Sequence, residues 1–257
     1  MAIVVAFANH KGGVGKTASV AALGTAFANA GYRVLMVDLD TQANLTYQFI
    51  GVDEENQPKR FIYDAIRQRK DIPQLAIKEN LYLSPSGLEM TLVETEMYNM
   101  RLREFVLKDL ISPLDDKYDF ILLDCPPSLG IMTTNALIIA DRMVVPMRAD
   151  LPSYYGLKMM VAFVESLSDI NKGLKINDIF FTFYNPQLRL TRSSEAQIRE
   201  EFTDAVMNST VRLNVKVSEA YSSLKSVIDS DPDSKGAQDY MAVSKELLER
   251  ICRVVEN

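Results

Sequence analysis

The chain has 257 residues, of which 47% are hydrophobic and 24% are charged, so it is long enough to bury a large core. Its formal net charge of −6 argues against binding of nucleic acid through the overall charge of the protein. The single histidine, His10, argues against His-based triads and metal clusters, and two distant cysteines, Cys125 and Cys252, argue against a redox or metal motif.

The start of the chain shows no targeting signal, because Met1 is followed almost directly by an apolar run. No apolar stretch is long enough to span a bilayer. We therefore expect a cytoplasmic protein. No linker composition or repeat divides the sequence, which predicts a single domain over residues 1–257.

The first motif is a glycine-rich loop between a predicted strand at 3–8 and a predicted helix at about 16–29. Its residues are Lys11, Gly12, Gly13, Val14, Gly15, Lys16 and Thr17, followed by Ala18. Glycines let backbone N–H groups turn toward an anion, Lys16 places a positive charge near the β and γ phosphates, and Thr17 offers a hydroxyl to Mg²⁺. The helix N-terminus faces the same anion. The loop therefore predicts a nucleotide-phosphate site.

Two carboxylates follow the next predicted strand, which covers 33–38. Asp38 and Asp40 are two residues apart, so their side chains point the same way in extended backbone. Beside a phosphate site, such carboxylates can hold Mg²⁺ through water or orient a water for attack on the γ phosphate.

The segment from 51 to about 114 is less regular. Helix-like patterns near 60–69 and 99–111 flank a short apolar piece at 81–83. We interpret this segment as a helical elaboration within the domain.

Three further apolar strands are predicted at 119–124, 142–147 and 177–184, with helical patterns between them. This alternation predicts a three-layer α/β sandwich, in which helices cover both faces of a mainly parallel, twisted sheet. Asp124, at the end of the first of these strands, fits the second nucleotide motif, which contacts the Mg²⁺ shell.

Two residues that follow the last predicted strand, Asn185 and Pro186, lie where a base could bind. Asn185 could offer a donor and an acceptor to adenine, and a plain Asn-Pro turn remains an alternative. Near the end of the chain, 236–255 carries an apolar stripe of helical period, which predicts a helix packed on the core.

Taken together, these motifs resemble the partition ATPases with a deviant phosphate loop, the ParA/Soj group of P-loop NTPases, of which MinD is a close relative. The resemblance spans almost the whole chain. Besides the loop and the strand-end aspartates, it includes Ser153-x-x-Gly156-Leu157, the run from Asn214 to Ala220, the run from Asp231 to Ala237, and Tyr240.

The resemblance implies a role for each loop and strand-end residue. Lys11 would be the signature lysine that reaches the partner's phosphates in an ATP-sandwiched homodimer. Lys16 and Thr17 would bind phosphate and Mg²⁺ in their own subunit, and Asp124 would belong to the Mg²⁺ shell. Asp40 would position the attacking water beside the metal, with Asp38 as its neighbour in the active site.

The family also implies partners. Its ATP-bound dimers bind nonspecific DNA on the nucleoid, and a ParB-like adaptor on the cargo stimulates hydrolysis and releases them. Lys216 falls at one expected basic position, whereas Gln187 stands where the other arginine is expected. Arg189 and Arg192 lie close enough in sequence to replace it. No N-terminal helix-turn-helix region is predicted, because the nucleotide-binding strand begins at Ile3.

Two alternative functions remain open. A membrane-positioning ATPase of the MinD kind would need a C-terminal amphipathic membrane helix, which the final predicted helix does not resemble because it overlaps the core-packing stripe. Stable membrane association is therefore not expected. The other alternative is a regulatory module with little turnover that responds to nucleotide by a change of conformation.

Overall fold

A computed structural model describes residues 1–53, 55 and 57–255 of the chain. The strands are β1 (Ile3–Phe7), β2 (Val34–Asp38), β3 (Leu75–Lys78), β4 (Leu81–Ser84), β5 (Phe120–Asp124), β6 (Arg142–Arg148) and β7 (Ile176–Thr182). The longer helices are α1 (Lys16–Asn29), α2 (Asn44–Ile50), α3 (Ile62–Gln68), α4 (Met90–Met97), α5 (Val106–Ile111), α6 (Ile131–Ile139), α7 (Leu151–Ser166), α8 (Arg189–Phe202), α9 (Val215–Ser222), α10 (Val227–Ser230) and α11 (Lys235–Val255). Short 3₁₀ turns cover Arg103–Phe105, Ser112–Leu114 and Thr203–Ala205.

The strands form one seven-stranded sheet in the order β3-β4-β2-β5-β1-β6-β7. Every pairing is parallel except that of β3 with β4, at one edge. The carboxyl ends of the central parallel strands therefore meet at one side of the sheet, where ligands bind in folds of this kind.

Helices cover both faces of the sheet, because the central strands are apolar on both sides. Along β1, Val4 and Ala6 belong to the core cluster that includes α5, α6 and α7, whereas Val5 and Phe7 belong to the cluster that includes α1 and α11. This arrangement confirms the predicted three-layer α/β sandwich.

The segment between 51 and 114 departs most from the sequence-based expectation. It adds β3 and β4 to the sheet, and the sequence does not predict β3 because this edge strand is only half buried. The helix predicted over 99–111 is interrupted, since Leu102 adopts a positive φ of 53° and the α-helix begins only at Val106.

The C-terminal helix packs on the core as predicted. Tyr240, Val243, Leu247 and Ile251 of α11 are buried against the face that carries α1. Within the ranges that the structure describes, no helix is long and apolar enough to cross a membrane.

Candidate nucleotide-binding site

A cavity of about 510 Å³ lies beside the ends of β1, β2, β5 and β7. This volume is in the range of small-molecule sites. Several residues predicted from the sequence contribute to its wall: Gly12, Gly13, Gly15, Lys16, Thr17, Ala18 and Asp40.

The glycine-rich loop joins β1 to α1 through backbone that favours glycine. Gly13 and Gly15 have φ values of 68° and 82°, in the left-handed region. The Thr182 hydroxyl donates to the Val14 carbonyl over 2.8 Å, which fastens the loop to the end of β7. Because α1 begins at Lys16, its free N–H groups point into the cavity region.

Lys16 is 6% exposed, and the hydrogen-bond partners of its ammonium group among the described residues are backbone carbonyls. Its Nζ donates to the carbonyl oxygens of Asn9 and Lys11 over 3.3 and 3.4 Å. Burial lowers the pKa of Lys16, and the nearby Asp124 carboxylate acts in the opposite direction. A phosphate would supply the strong anionic partner that these long contacts lack.

Asp124 is fully buried at the end of β5, and neither carboxylate oxygen accepts a hydrogen bond from the described residues. Burial raises its pKa well above the usual range, and the neighbouring Asp38 adds to the rise, while the Thr17 hydroxyl beside it and the positive charge of Lys16 oppose the rise. A buried carboxylate without donors is costly unless a cation or its water satisfies it.

The residues around Asp124 fit magnesium. Among the described residues, no group of three or more His, Cys, Asp or Glu side chains forms a protein cage for a metal. Mg²⁺ does not require one, because it keeps several waters and takes phosphate oxygens and one or two protein oxygens. Thr17 and Asp124 can supply those oxygens.

The two other aspartates differ in exposure to the cavity. Asp40 lines the cavity, and one of its carboxylate oxygens accepts the Gln42 N–H over 3.0 Å. Asp38 lies behind this wall, paired in register with Asp124 across β2 and β5. Burial raises the pKa of Asp38 to about 7, although hydrogen bonds from Thr46 and Asp40 oppose the rise.

Lys11 points away from the loop's own glycines, toward the start of α7. Its Nζ lies 3.1 and 3.2 Å from the two carboxylate oxygens of Asp150 and 3.1 Å from the Ser153 hydroxyl. Partial burial tends to raise the pKa of Asp150, but hydrogen bonds from Ser153 and the Lys11 charge leave it below its usual value. The sequence did not indicate Asp150 as a partner of Lys11.

Another part of the cavity wall comes from the segment before and within α9, which includes Val211, Arg212, Asn214, Val217 and Tyr221. The run from 214 to 220 is a recognisable motif in the sequence, but no contact with nucleotide was predicted for it. Arg212 is held by Asp239 through two side-chain contacts of 2.7 and 2.8 Å.

Asn185 and Pro186 are not part of the cavity wall. The Asn185 side-chain oxygen accepts the Gln187 N–H over 3.0 Å, a hydrogen bond typical of a local turn. Within this structure the Asn185 side chain serves its own turn, and a contact with adenine stays a prediction.

The three predicted DNA-contacting residues lie in two different electrostatic settings. Arg189 and Arg192 are exposed in the first turn of α8, which contains no acidic residue. Lys216, in contrast, contacts Glu219 over 2.9 Å and Asp231 over 3.3 Å.

The chain is similar to known protein families. A family model described as an AAA domain matches residues 2–176. The chain is 34% identical to the chromosome partitioning protein ParA of Myxococcus xanthus, over 96% of this chain and 88% of that protein. It is 33% identical to the chromosome-partitioning ATPase Soj of Treponema pallidum, over 97% of this chain and 98% of that protein.

A solved structure has the same fold and carries ligands. It is described as cobyrinic acid a,c-diamide synthase from Mycobacterium smegmatis with bound ADP and magnesium. It superposes with a TM-score of 0.82 and is 27% identical, covering 96% of this chain and 94% of that chain. A protein of this fold therefore binds a nucleotide together with magnesium.

Proposed function

Because this chain belongs to the ParA/Soj family of partition ATPases, we propose that it hydrolyses ATP to position DNA or another cargo. In this proposal it forms a homodimer with ATP at the interface and binds nonspecific DNA as that dimer. A ParB-like adaptor on the cargo stimulates ATP hydrolysis and thereby releases the protein from DNA. The protein would be cytoplasmic and would lie on the nucleoid in its ATP-bound state.

The observation that carries the proposal is the buried carboxylate of Asp124 next to the phosphate loop, whose oxygens accept no hydrogen bond within the described part of the chain. Backbone N–H groups of the loop and Lys16 would bind the phosphates of ATP. Thr17 and Asp124 would hold Mg²⁺. Bound magnesium supplies positive charge that offsets negative charge on the phosphate oxygens.

Asp40 would orient the attacking water. One of its carboxylate oxygens is engaged by Gln42, which leaves the other available at the cavity wall. Hydrolysis also requires the water to lie in line with the leaving oxygen, so the direction of this carboxylate matters. Asp40→Ala should therefore retain ATP and accumulate as dimer.

Lys11 would couple nucleotide to dimerisation. Its present partners, Asp150 and Ser153, belong to its own chain. In the dimer, Lys11 would exchange Asp150 for the phosphates of the partner subunit, where an added cation offsets the repulsion between two anionic sites. The dimer would then depend on the γ phosphate and dissociate after hydrolysis.

DNA would be bound mainly at the first turn of α8. Arg189 and Arg192 are exposed there and have no acidic neighbour in that turn, so their charges are available to backbone phosphates. Lys216 would contribute less, because two carboxylates already neutralise it.

One experiment tests these steps together. The full-length protein is sedimented with DNA and, separately, with anionic liposomes, each in ATP and in ADP, while its size is measured by light scattering. We expect a dimer and DNA retention in ATP and a monomer without DNA in ADP. A size that does not depend on nucleotide would refute the sandwich dimer.

The same experiment separates the alternatives. Retention on liposomes in ATP would indicate a membrane-positioning ATPase, which the buried apolar face of α11 disfavours. A nucleotide-dependent change of size without measurable hydrolysis would indicate the low-turnover regulatory module.

A further inference from the structure

Four buried residues form a closed ring of hydrogen bonds behind the cavity wall: Asp38, Asp40, Thr46 and Ser86, here called the Asp38 ring. The hydroxyl and the N–H of Thr46 both donate to Asp38 Oδ2, over 2.7 and 2.8 Å. The Ser86 N–H donates to the Thr46 hydroxyl over 2.8 Å, and the Ser86 hydroxyl donates to the Asp40 carbonyl over 2.9 Å. The Asp40 N–H closes the ring on Asp38 Oδ1 over 3.1 Å.

The ring joins three separate elements of the fold. Asp38 ends β2, Thr46 lies in the first turn of α2, and Ser86 follows β4, which pairs with β2. Asp38, Thr46 and Ser86 have no exposed surface, and Asp40 is 7% exposed. Hydrogen bonds in so dry a setting are strong and costly to leave unmade.

The ring holds the backbone of Asp40 on both sides. Asp38 accepts the Asp40 N–H, and the Asp40 carbonyl accepts both the Ser86 hydroxyl and, over 3.0 Å, the Ala43 N–H. Gln42 then engages one oxygen of the Asp40 carboxylate. With its backbone and one oxygen held, Asp40 has little freedom to redirect the remaining oxygen.

We propose that the Asp38 ring positions the Asp40 carboxylate for water attack, with Ser86 and Thr46 as positioning residues. Neither of these two residues lines the cavity, so both act through Asp40. The inference rests on the proposed ATP hydrolysis. Its physical basis is that a displacement of about 1 Å in a reacting group can lower a rate by about 100-fold.

A purely structural ring would behave differently. It would fasten β2, α2 and β4, and breaking it would lower stability without a specific effect on turnover. Positioning predicts instead a lower kcat with nearly unchanged nucleotide binding, since the loop and Lys16 that would bind the phosphates are outside the ring.

Ser86→Ala is the main test, and Ser84→Ala is its matched control. Both serines are fully buried and lie two residues apart, but the Ser84 hydroxyl has no hydrogen-bond partner among the described residues. In Ser86→Ala the Asp40 carbonyl keeps its bond from Ala43, so the fold should tolerate the change. ATP hydrolysis with Mg²⁺ is measured alongside affinity for a fluorescent ATP analogue and the melting temperature.

We expect Ser86→Ala to lower kcat by about 10- to 100-fold with affinity within about twofold of wild type, and Ser84→Ala to retain wild-type kcat. A second pair tests Thr46: Thr46→Ser should retain activity because it keeps the hydroxyl, whereas Thr46→Val should lose it. If Ser86→Ala melts below the assay temperature, Ser86→Cys, a weaker donor, should show an intermediate kcat.

The outcomes distinguish failure of the positioning role from failure of the proposed ATP hydrolysis. If the wild-type protein hydrolyses ATP and Ser86→Ala has the same kcat, the positioning role of the ring is wrong but the proposed function is not. Equal losses in Ser84→Ala and Ser86→Ala, or no rescue by Thr46→Ser relative to Thr46→Val, would also overturn it. A wild-type protein that does not hydrolyse ATP would overturn the proposed function and the catalytic role of the ring with it.

Discussion

Asp38 and Asp124 are neighbours in register on β2 and β5, yet their carboxylates have opposite surroundings. Both are fully buried, and burial is the main reason that the pKa of each is raised. Asp38 accepts three hydrogen bonds, from Asp40 and Thr46, whereas Asp124 accepts none from the described residues. The carboxylate of Asp38 joins protein groups to one another, whereas that of Asp124 has no such protein partner and, in the proposed function, serves magnesium.

The basic residues show the same contrast on the surface. Lys216 is paired with two carboxylates, whereas Arg189 and Arg192 have no ion-pair partner among the described residues. A charge that the fold has already neutralised contributes less to an outside partner than a charge left unpaired. Whether each basic residue already has an acidic partner therefore ranks their expected contributions to DNA binding, which sequence position alone could not do.

The largest expected effect follows from Asp124→Asn. ATP hydrolysis should fall by at least about 100-fold, because the charge that helps to hold Mg²⁺ is lost. The nucleotide-free protein should nevertheless melt at the same or a higher temperature, since a buried carboxylate without donors is removed. Hydrolysis assays and thermal melting without nucleotide measure the two effects.

Asp38→Asn is the control for that prediction. The Asp38 carboxylate accepts hydrogen bonds from three donors: the N–H groups of Asp40 and Thr46 and the Thr46 hydroxyl. An amide at this position has only one acceptor oxygen, so the free energy of unfolding should fall by about 1–3 kcal/mol. If Asp124→Asn lowered the melting temperature more than Asp38→Asn, the contrast between the two carboxylates would be wrong.

The pH dependence of stability should be the next largest effect. The pKa of Asp38 is about 7 in the folded chain and 3.8 ordinarily, so the folded chain holds a proton that the unfolded chain releases between these values. Stability of the nucleotide-free protein should therefore fall as pH rises from about 4 to about 7, by at most about 1.4 kcal/mol per pH unit for one group.

Urea denaturation across this pH window measures the slope, and Asp38→Asn should reduce it. A stability that rises with pH through the window, or a slope unchanged in Asp38→Asn, would contradict the prediction.

A smaller effect is expected for DNA binding. The double variant Arg189→Ala/Arg192→Ala should reduce the slope of log affinity against log salt by about 2, at about 0.9 per lost phosphate contact. Lys216→Ala should change the slope by less than about 1, because Glu219 and Asp231 already contact this lysine. Salt titrations of DNA binding in ATP test the order, and a larger effect of Lys216→Ala would reverse it.

The smallest effect is expected at Lys11, whose ion pair with Asp150 is only partly buried. Asp150→Asn keeps a side-chain acceptor for the Ser153 N–H at the start of α7 but removes the charge beside Lys11. Such a pair contributes about 1 kcal/mol or less, so ATP-dependent dimers should form at a few-fold lower protein concentration.

Light scattering over a concentration series measures this shift. Glu201→Gln, which breaks the ion pair between Lys158 of α7 and Glu201 of α8, is the control and should cause none. Weaker dimerisation in Asp150→Asn would mean that Asp150 supports Lys11 in the dimer rather than holding it back.

Much of the candidate site could be predicted from sequence, because its signals are local. The loop needs glycines at fixed positions, and Gly13 and Gly15 do adopt positive φ. Asp38 and Asp124 each follow an apolar strand, and parallel strands bring their carboxyl ends to one edge. Strand β3 was not predicted, because a half-buried edge strand lacks a continuous apolar run.

The sequence by itself determined which side chains stand at the strand ends and in the loop, since backbone preference and apolar period act over a few residues. Only the tertiary structure decided which charges are already partnered. Ser86 reaches Asp40 across 46 residues of chain, and Asp150 reaches Lys11 across 139. Such contacts depend on how the strands are ordered in the sheet, which no local pattern encodes.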